Sequence, residues 1–191
     1  MKIAKKGFLE GFSLFELILL ALLAAAGIAA KPVAVAASHL VAGPLAIPGG
    51  ALAGGFYMLF VVLGGALVGK RGSATLVCAV QGIIVLVTGV YGSHGAASLV
   101  TYTAPGILVD LLWLIMHTTG GTMLACFFGG ITANVGGTFA VNLVFFRMPF
   151  VPLMLTAAVA ALSGGMGGIV AWQIVKHLKK PNIFSHQNGI N

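Results

Sequence analysis

Charge is what this sequence has least of. Only 7% of its 191 residues are charged, and its acidic side chains number three: Glu10, Glu16 and Asp110. A soluble domain carries roughly 25% charged residues, enough to cover a surface that faces water. So few charges exclude that class, whereas a surface facing lipid needs no such cover. Cysteine is scarce as well. Cys78 and Cys126 both lie in apolar runs; neither a disulfide framework nor a thiolate–metal motif is legible, and two small buried side chains are the default. No Gly-x-x-x-x-Gly-Lys-Ser/Thr segment occurs, so the chain is not its own ATP-driven motor. The net charge of +7 comes from basic residues scattered between apolar runs, which form no patch for nucleic acid.

What is present is apolar length. Mean hydropathy is +1.09, and 28 glycines are spread among Leu, Val, Ile, Ala and Phe, a mixture suited to helices packed closely through small residues. Crossing the hydrocarbon core takes about 20 apolar residues of helix. That ruler predicts one all-α domain over residues 1–191, an integral membrane bundle of about six transmembrane helices. The spans fall at about 14–30, 50–69, 73–91, 96–117, 121–146 and 151–175. The first stops at Lys31-Pro32, and an irregular apolar stretch with Pro44, Pro48, Gly49 and Gly50 then folds in against the bundle. A basic start, an apolar run and Ala24–Ala30 also fit a secretory signal peptide, but Glu10 and Glu16 interrupt it and the rest of the chain is membrane-embedded.

Basic residues set the orientation. With both termini cytoplasmic, the inner segments hold Lys2, Lys5, Lys6, Lys70, Arg71, Lys176, Lys179 and Lys180, against Lys31 and Arg147 outside. That is the asymmetry of the positive-inside rule, and an odd number of spans would spoil it. Close packing is written in Gly50-x-x-x-Gly54, Gly65-x-x-x-Gly69 and Gly164-x-x-x-Gly168, each of which puts two glycines on one helical face.

Polar groups gather toward the outer mouth: His39, Tyr91, His94, Tyr102, Asn142 and Arg147, with Tyr57 two turns deep and Gln81 near mid-membrane. Set in an apolar wall, such groups can orient a flat or hydroxylated small molecule by stacking and hydrogen bonds. Singly, each also reads as an interfacial aromatic or a turn residue; as a cluster beside the Pro/Gly loop they favour a binding site. His39 and His94 could ligate one metal or haem, but no His-x-x-x-His, His-x-His or paired carboxylate supports them. No resident metal or cofactor is expected. Asp110, roughly 20 Å from the outer end of its span, lies in the cytoplasmic half, where a carboxylate is costly and so a functional candidate. A structural or coupling role suits it better than substrate contact, with His117 seven residues on as the nearest partner. Asn134 is read as an interhelical hydrogen-bonding residue. In the first span Ala21, Ala25 and Ala29 recur every four residues, a smooth stripe for internal packing or for docking on a partner helix.

Several stretches carry a resemblance: Gly43-Pro44-Leu45-Ala46, Gly55-Phe56-Tyr57, Lys70-Arg71-Gly72-Ser73-Ala74-Thr75-Leu76-Val77, the glycine-rich turn 92–95 and the acidic residue at 110. Over roughly Gly43 to Leu112 the sequence resembles the substrate-binding S-components of energy-coupling factor (ECF) transporters, and within them the hydroxymethylpyrimidine/thiamin-precursor branch. The resemblance implies a multi-pass protein of a bacterial or archaeal plasma membrane that captures a vitamin or vitamin precursor at the extracellular face. It implies no enzyme activity in this chain, energy coming from a transmembrane coupling subunit and two ATPase subunits, and transport by toppling in the bilayer. The family's first outer loop and the outer ends of its later helices hold the ligand; here these regions supply His39, Tyr57, His94, Tyr102 and Asn142. The alanine stripe matches the small-residue face by which S-components dock. The acidic residues that hold thiamin's positive ring in related proteins are missing from this mouth, which favours a neutral precursor or a larger, flatter ligand. Two alternatives stand beside this reading: an importer subunit for a tetrapyrrole or metal held by His39 and His94, and an intramembrane enzyme or structural subunit. For an enzyme, Ser163 and His94 form no dyad by motif.

Overall fold

The computed structural model describes residues 8–42, 49–89 and 95–179. Its helices are α1 (Leu14–Ala42), α2 (Gly49–Val68), α3 (Ser73–Thr88), α4 (Ala97–Ile115), α5 (Met123–Val141) and α6 (Phe150–Leu178). A short 3-10 turn, Phe8–Gly11, precedes α1, and a π-helical turn, Asn142–Phe146, extends α5. Among the described residues there is no strand. Five of the helices are long and apolar enough to cross a membrane; α3, with 16 residues, is shorter. Large apolar side chains cover the outside, Leu22, Val87, Leu143 and Leu162 among them. On a soluble protein that surface would have to be hidden; here it meets lipid. The all-α integral membrane bundle expected from composition is the fold.

One boundary differs. The first helix does not stop at Lys31-Pro32 but runs through both to Ala42. Proline removes one backbone donor, leaving the Ile28 carbonyl without its i+4 N–H, yet within a membrane helix neighbouring elements make such a break tolerable. Lys31 therefore belongs to the bundle and not to an outer loop. The expected folded-in segment 43–48 and the turn from Tyr91 to His94 lie outside the described residues.

α2 is the central helix. It packs against α1, α3, α5 and α6, and twelve of its twenty residues are buried. Its approach to α6 is set by glycine: a Cβ on Gly167 would overlap the carbonyl oxygen of Gly55, and one on Gly55 would overlap that of Ser163. α5 meets α6 in the same way, Gly130 against the Gly164 carbonyl and Gly168 against that of Cys126. Of the expected glycine pairs, Gly164 and Gly168 both serve close approach, and Gly54 makes room for Asn134. Gly69 instead ends α2 in the left-handed conformation, φ 66°. Asn134 bridges three helices as expected, its amide donating to Ala51 O and Ala160 O at 2.9 Å each.

The end of the bundle away from Lys31 is tied by charge. Lys70 Nζ meets Glu16 at 2.6 Å and Gly11 O at 2.9 Å. Lys179 donates to Ala66 O at 2.8 Å, a cation on the C-terminal carbonyls of α2 where the helix dipole favours it. Asp110, on α4, accepts from the backbone N–H of Thr75 at 2.8 Å and from its hydroxyl at 2.6 Å. Thr75 is the third residue of α3, so the carboxylate satisfies a first-turn donor and faces the positive end of that helix. The partner of Asp110 is thus Thr75 and not His117, which is exposed.

Candidate functional site

A cavity of about 280 Å³ lies inside the other half of the bundle. Every helix contributes to its wall: Gly27, Ile28, Lys31 and Val35 from α1; Gly50, Ala51, Tyr57 and Met58 from α2; Gln81 from α3; Thr101 and Tyr102 from α4; Asn134, Gly137, Thr138 and Val141 from α5; Thr156 from α6. Phe146 and Met148, at the α5–α6 connection, complete it. The wall is mainly apolar with a few convergent polar groups, the usual make-up of a small-molecule site, and its volume is near the lower end of the roughly 300–1,000 Å³ typical of such sites.

Lys31 and two tyrosines form its polar corner. Lys31 Nζ donates to the Tyr102 hydroxyl at 2.5 Å and stands 4.5 Å from the Tyr102 ring centroid and 5.2 Å from that of Tyr57. Both distances fall within the range at which an aromatic face attracts an ammonium group. The Tyr57 hydroxyl donates to Gly50 O at 3.0 Å, two turns back at the start of α2. Gln81 is buried at the same cavity, its amide beside Gly27, where a larger residue would collide with it.

A helical irregularity shapes the far wall. At Asn142–Phe146 the chain winds as a π turn, and Arg147 reverses it in the left-handed conformation, φ 46°. Asn142 holds this turn twice: its backbone carbonyl accepts from Arg147 N at 2.9 Å, and its side-chain oxygen accepts from Met148 N at 2.8 Å. Such π segments are rare and concentrate at functional sites. Here the turn brings Phe146 and Met148 to the cavity.

Of the residues expected at the site, Tyr57 and Tyr102 line the cavity together. Asn142 does not; it lies at a shallow apolar groove formed by α4, α5 and α6 and fixes the turn that supplies two wall residues. His39 is exposed near the end of α1, its ring beside Gly49, and is not part of the cavity wall. His94 lies outside the described residues. Among the described residues no group of three or more His, Cys, Asp or Glu could hold a metal ion. Ser163 has a packing role: its hydroxyl accepts from Gly55 N and donates to Leu52 O, tying α6 to α2. The residue that sequence reasoning missed is Lys31. Its signal was available, since Gly27, Ile28, Lys31 and Val35 follow the i, i+3, i+4 spacing of one helical face. Along α1, Ala25 and Ala29 are exposed and Ala21 is half-buried, while Leu20, Ala24 and Ile28 face inward.

No curated protein matches the sequence. Among solved structures the fold is similar to one described as the crystal structure of an S-component of an ECF transporter, with a TM-score of 0.68 and 12% identity, covering 87% of this chain and 85% of that one. At that identity the likeness is one of fold. Residues 15–136, more than half of the chain, match the family described as the permease component of ABC-type cobalt transport systems, and the protein belongs to that family.

Proposed function

We propose that this protein is the substrate-binding membrane subunit of an ECF-type importer, capturing a vitamin or vitamin precursor at the extracellular face. The observation that carries this reading is the cavity to which all six helices contribute, at the end of the bundle that the positive-inside rule puts outside. Similarity of fold to an S-component supports it, as does membership of a transport-permease family. Tyr57 and Tyr102 hold the ligand, and His39, His94 and Asn142 complete the proposed set, Asn142 through the turn that brings Phe146 and Met148 to the cavity. Ala21, Ala25 and Ala29 dock on a transmembrane coupling subunit, and two separate ATPase subunits supply the energy.

The family's description names cobalt, which favours a second reading in which the cargo is a metal or tetrapyrrole held by His39 and His94. Against it stands His39, which is exposed and is not one of the residues that line the cavity. Native mass spectrometry of the detergent-purified protein, with an absorption spectrum of the same sample, separates the two. A bound organic molecule of vitamin mass is expected. A Soret band or a bound metal ion would transfer the cargo to the second reading.

A further inference from the structure

The amide of Gln81 is a polar group of the cavity wall that the protein itself leaves unused. Gln81 is 4% exposed and lines the cavity from α3, a helix otherwise apolar between Thr75 and Thr88. Among the described residues its amide makes no hydrogen bond. The side-chain polar atom that is both unpaired and sealed from any open space is Ser98 Oγ, so the unpaired Gln81 amide opens on the cavity. An amide buried without a partner is destabilising, and such groups are uncommon in folded proteins.

Other polar groups of the wall are already engaged. Thr101, Thr138 and Thr156 each donate to a carbonyl of their own helix, and Tyr57 donates to Gly50 O. Asn134 spends both of its N–H groups on Ala51 O and Ala160 O. Lys31 donates to Tyr102, and both have further partners. Room for the Gln81 amide is built on the opposite helix: a Cβ on Gly27 of α1 would stand 2.5 Å from Gln81 Nε2, so any larger residue there would push the amide aside.

A primary amide carries an acceptor oxygen beside an N–H donor. Its complement is an edge with the same two groups in reverse order, which makes two parallel hydrogen bonds, as glutamine does with N6 and N7 of adenine. Ile28, Tyr57 and Met58 offer apolar contact to the faces of such a molecule. Resting on the uptake reading above, we propose that Gln81 determines the specificity of the cavity. The cargo is a flat molecule with an amide-type edge, an N–H donor beside a carbonyl or ring-nitrogen acceptor, paired to the Gln81 amide.

Benzamide and acetophenone are shape twins that differ in one group, an amide NH2 against a methyl, and they serve as probes. Their affinities for the washed, detergent-purified full-length protein are measured by ligand-observed NMR titration. Wild type should prefer benzamide roughly tenfold to a hundredfold, the range for pairing or stranding a buried amide. Gln81→Met, which keeps an unbranched chain of similar length, should bind the two probes equally. It removes no internal hydrogen bond, so its unfolding temperature should be unchanged or raised, whereas loss of a structural residue would lower it. Gly27→Ala keeps Gln81 but displaces its amide, and should also reduce the preference; it stands in for Gln81→Met if that protein does not fold. Equal affinities in wild type, the result for an amide that serves only to bind water, would overturn the proposal. So would a preference that persists in folded Gln81→Met. Either result leaves the uptake reading standing as long as native mass spectrometry finds a bound organic molecule. A wild-type protein that carries no molecule and binds neither probe would remove both.

Discussion

The carboxylate of Asp110 lies against the first turn of α3, where it accepts two hydrogen bonds from Thr75. A membrane-embedded acid suggests a proton relay or a conformational trigger, but this one does the work of a helix cap supplied by a neighbouring helix. That assignment separates two substitutions. Asp110→Ala removes both bonds and should lower stability by about 1–2 kcal/mol, as loss of a cap does. Asp110→Asn keeps an acceptor oxygen, loses only the charge, and should fall by less while ligand binding persists. Thermal unfolding in detergent with a binding assay reads both; transport abolished in a stable, ligand-binding Asp110→Asn protein would return the residue to a coupling role. Legibility differed among the residues for physical reasons. Tyr57 and Tyr102 were visible because they fall in a cluster of polar groups toward one mouth, whereas each alone would read as an interfacial aromatic. Lys31 was passed over because a charge followed by proline reads as the end of a span, which masks the i, i+3, i+4 spacing that sets it on one face with Gly27, Ile28 and Val35. Asn142 drew notice for its polarity, but its task is to hold a backbone turn that no sequence pattern announces.

Between elements, the decisive contacts are of backbone on backbone. Gly55 and Gly167 let α2 and α6 touch with no side chain between them, and Gly130, Gly164 and Gly168 do the same for α5 and α6. In lipid, where apolar side chains gain little by leaving the solvent, dispersion at such short range carries much of the association. Gly167→Val should therefore force α2 from α6 and destabilise the bundle by about 1–3 kcal/mol or more, the range for overpacking. Gly121→Ala, at a position where a Cβ meets nothing within 4 Å, is the matched control and should leave the unfolding temperature unchanged. Equal curves for the two variants would show that the close approach contributes nothing. The helices themselves were readable from apolar length, and the Gly-x-x-x-Gly spacing correctly marked α6. It also marked Gly65-x-x-x-Gly69, where Gly69 ends α2, because spacing alone does not distinguish a packing glycine from a terminating one.

At the scale of the whole molecule, α1 separates two surfaces. One face, with Gly27, Ile28, Lys31 and Val35, forms a side of the cavity. Another presents Ala25 and Ala29 outward. If that outward face is the docking surface, Ala25→Leu should abolish assembly with the coupling subunit in a co-purification experiment while ligand binding by the isolated protein is unchanged. Normal assembly would return the stripe to lipid contact.

The division of α1 has a thermodynamic consequence. If the cavity holds the cargo and the alanine face holds the partner, both act on one helix, with Lys31 two residues from Ala29 and six from Ala25, and a displacement of α1 by either would be felt at both. Linkage then makes the two events reciprocal: whatever factor the bound cargo contributes to the affinity for the partner, the partner must return to the affinity for the cargo. A tenfold effect in one direction is worth about 1.4 kcal/mol in both. One helix shared by the two sites would let an importer recognise a loaded subunit without any second signal.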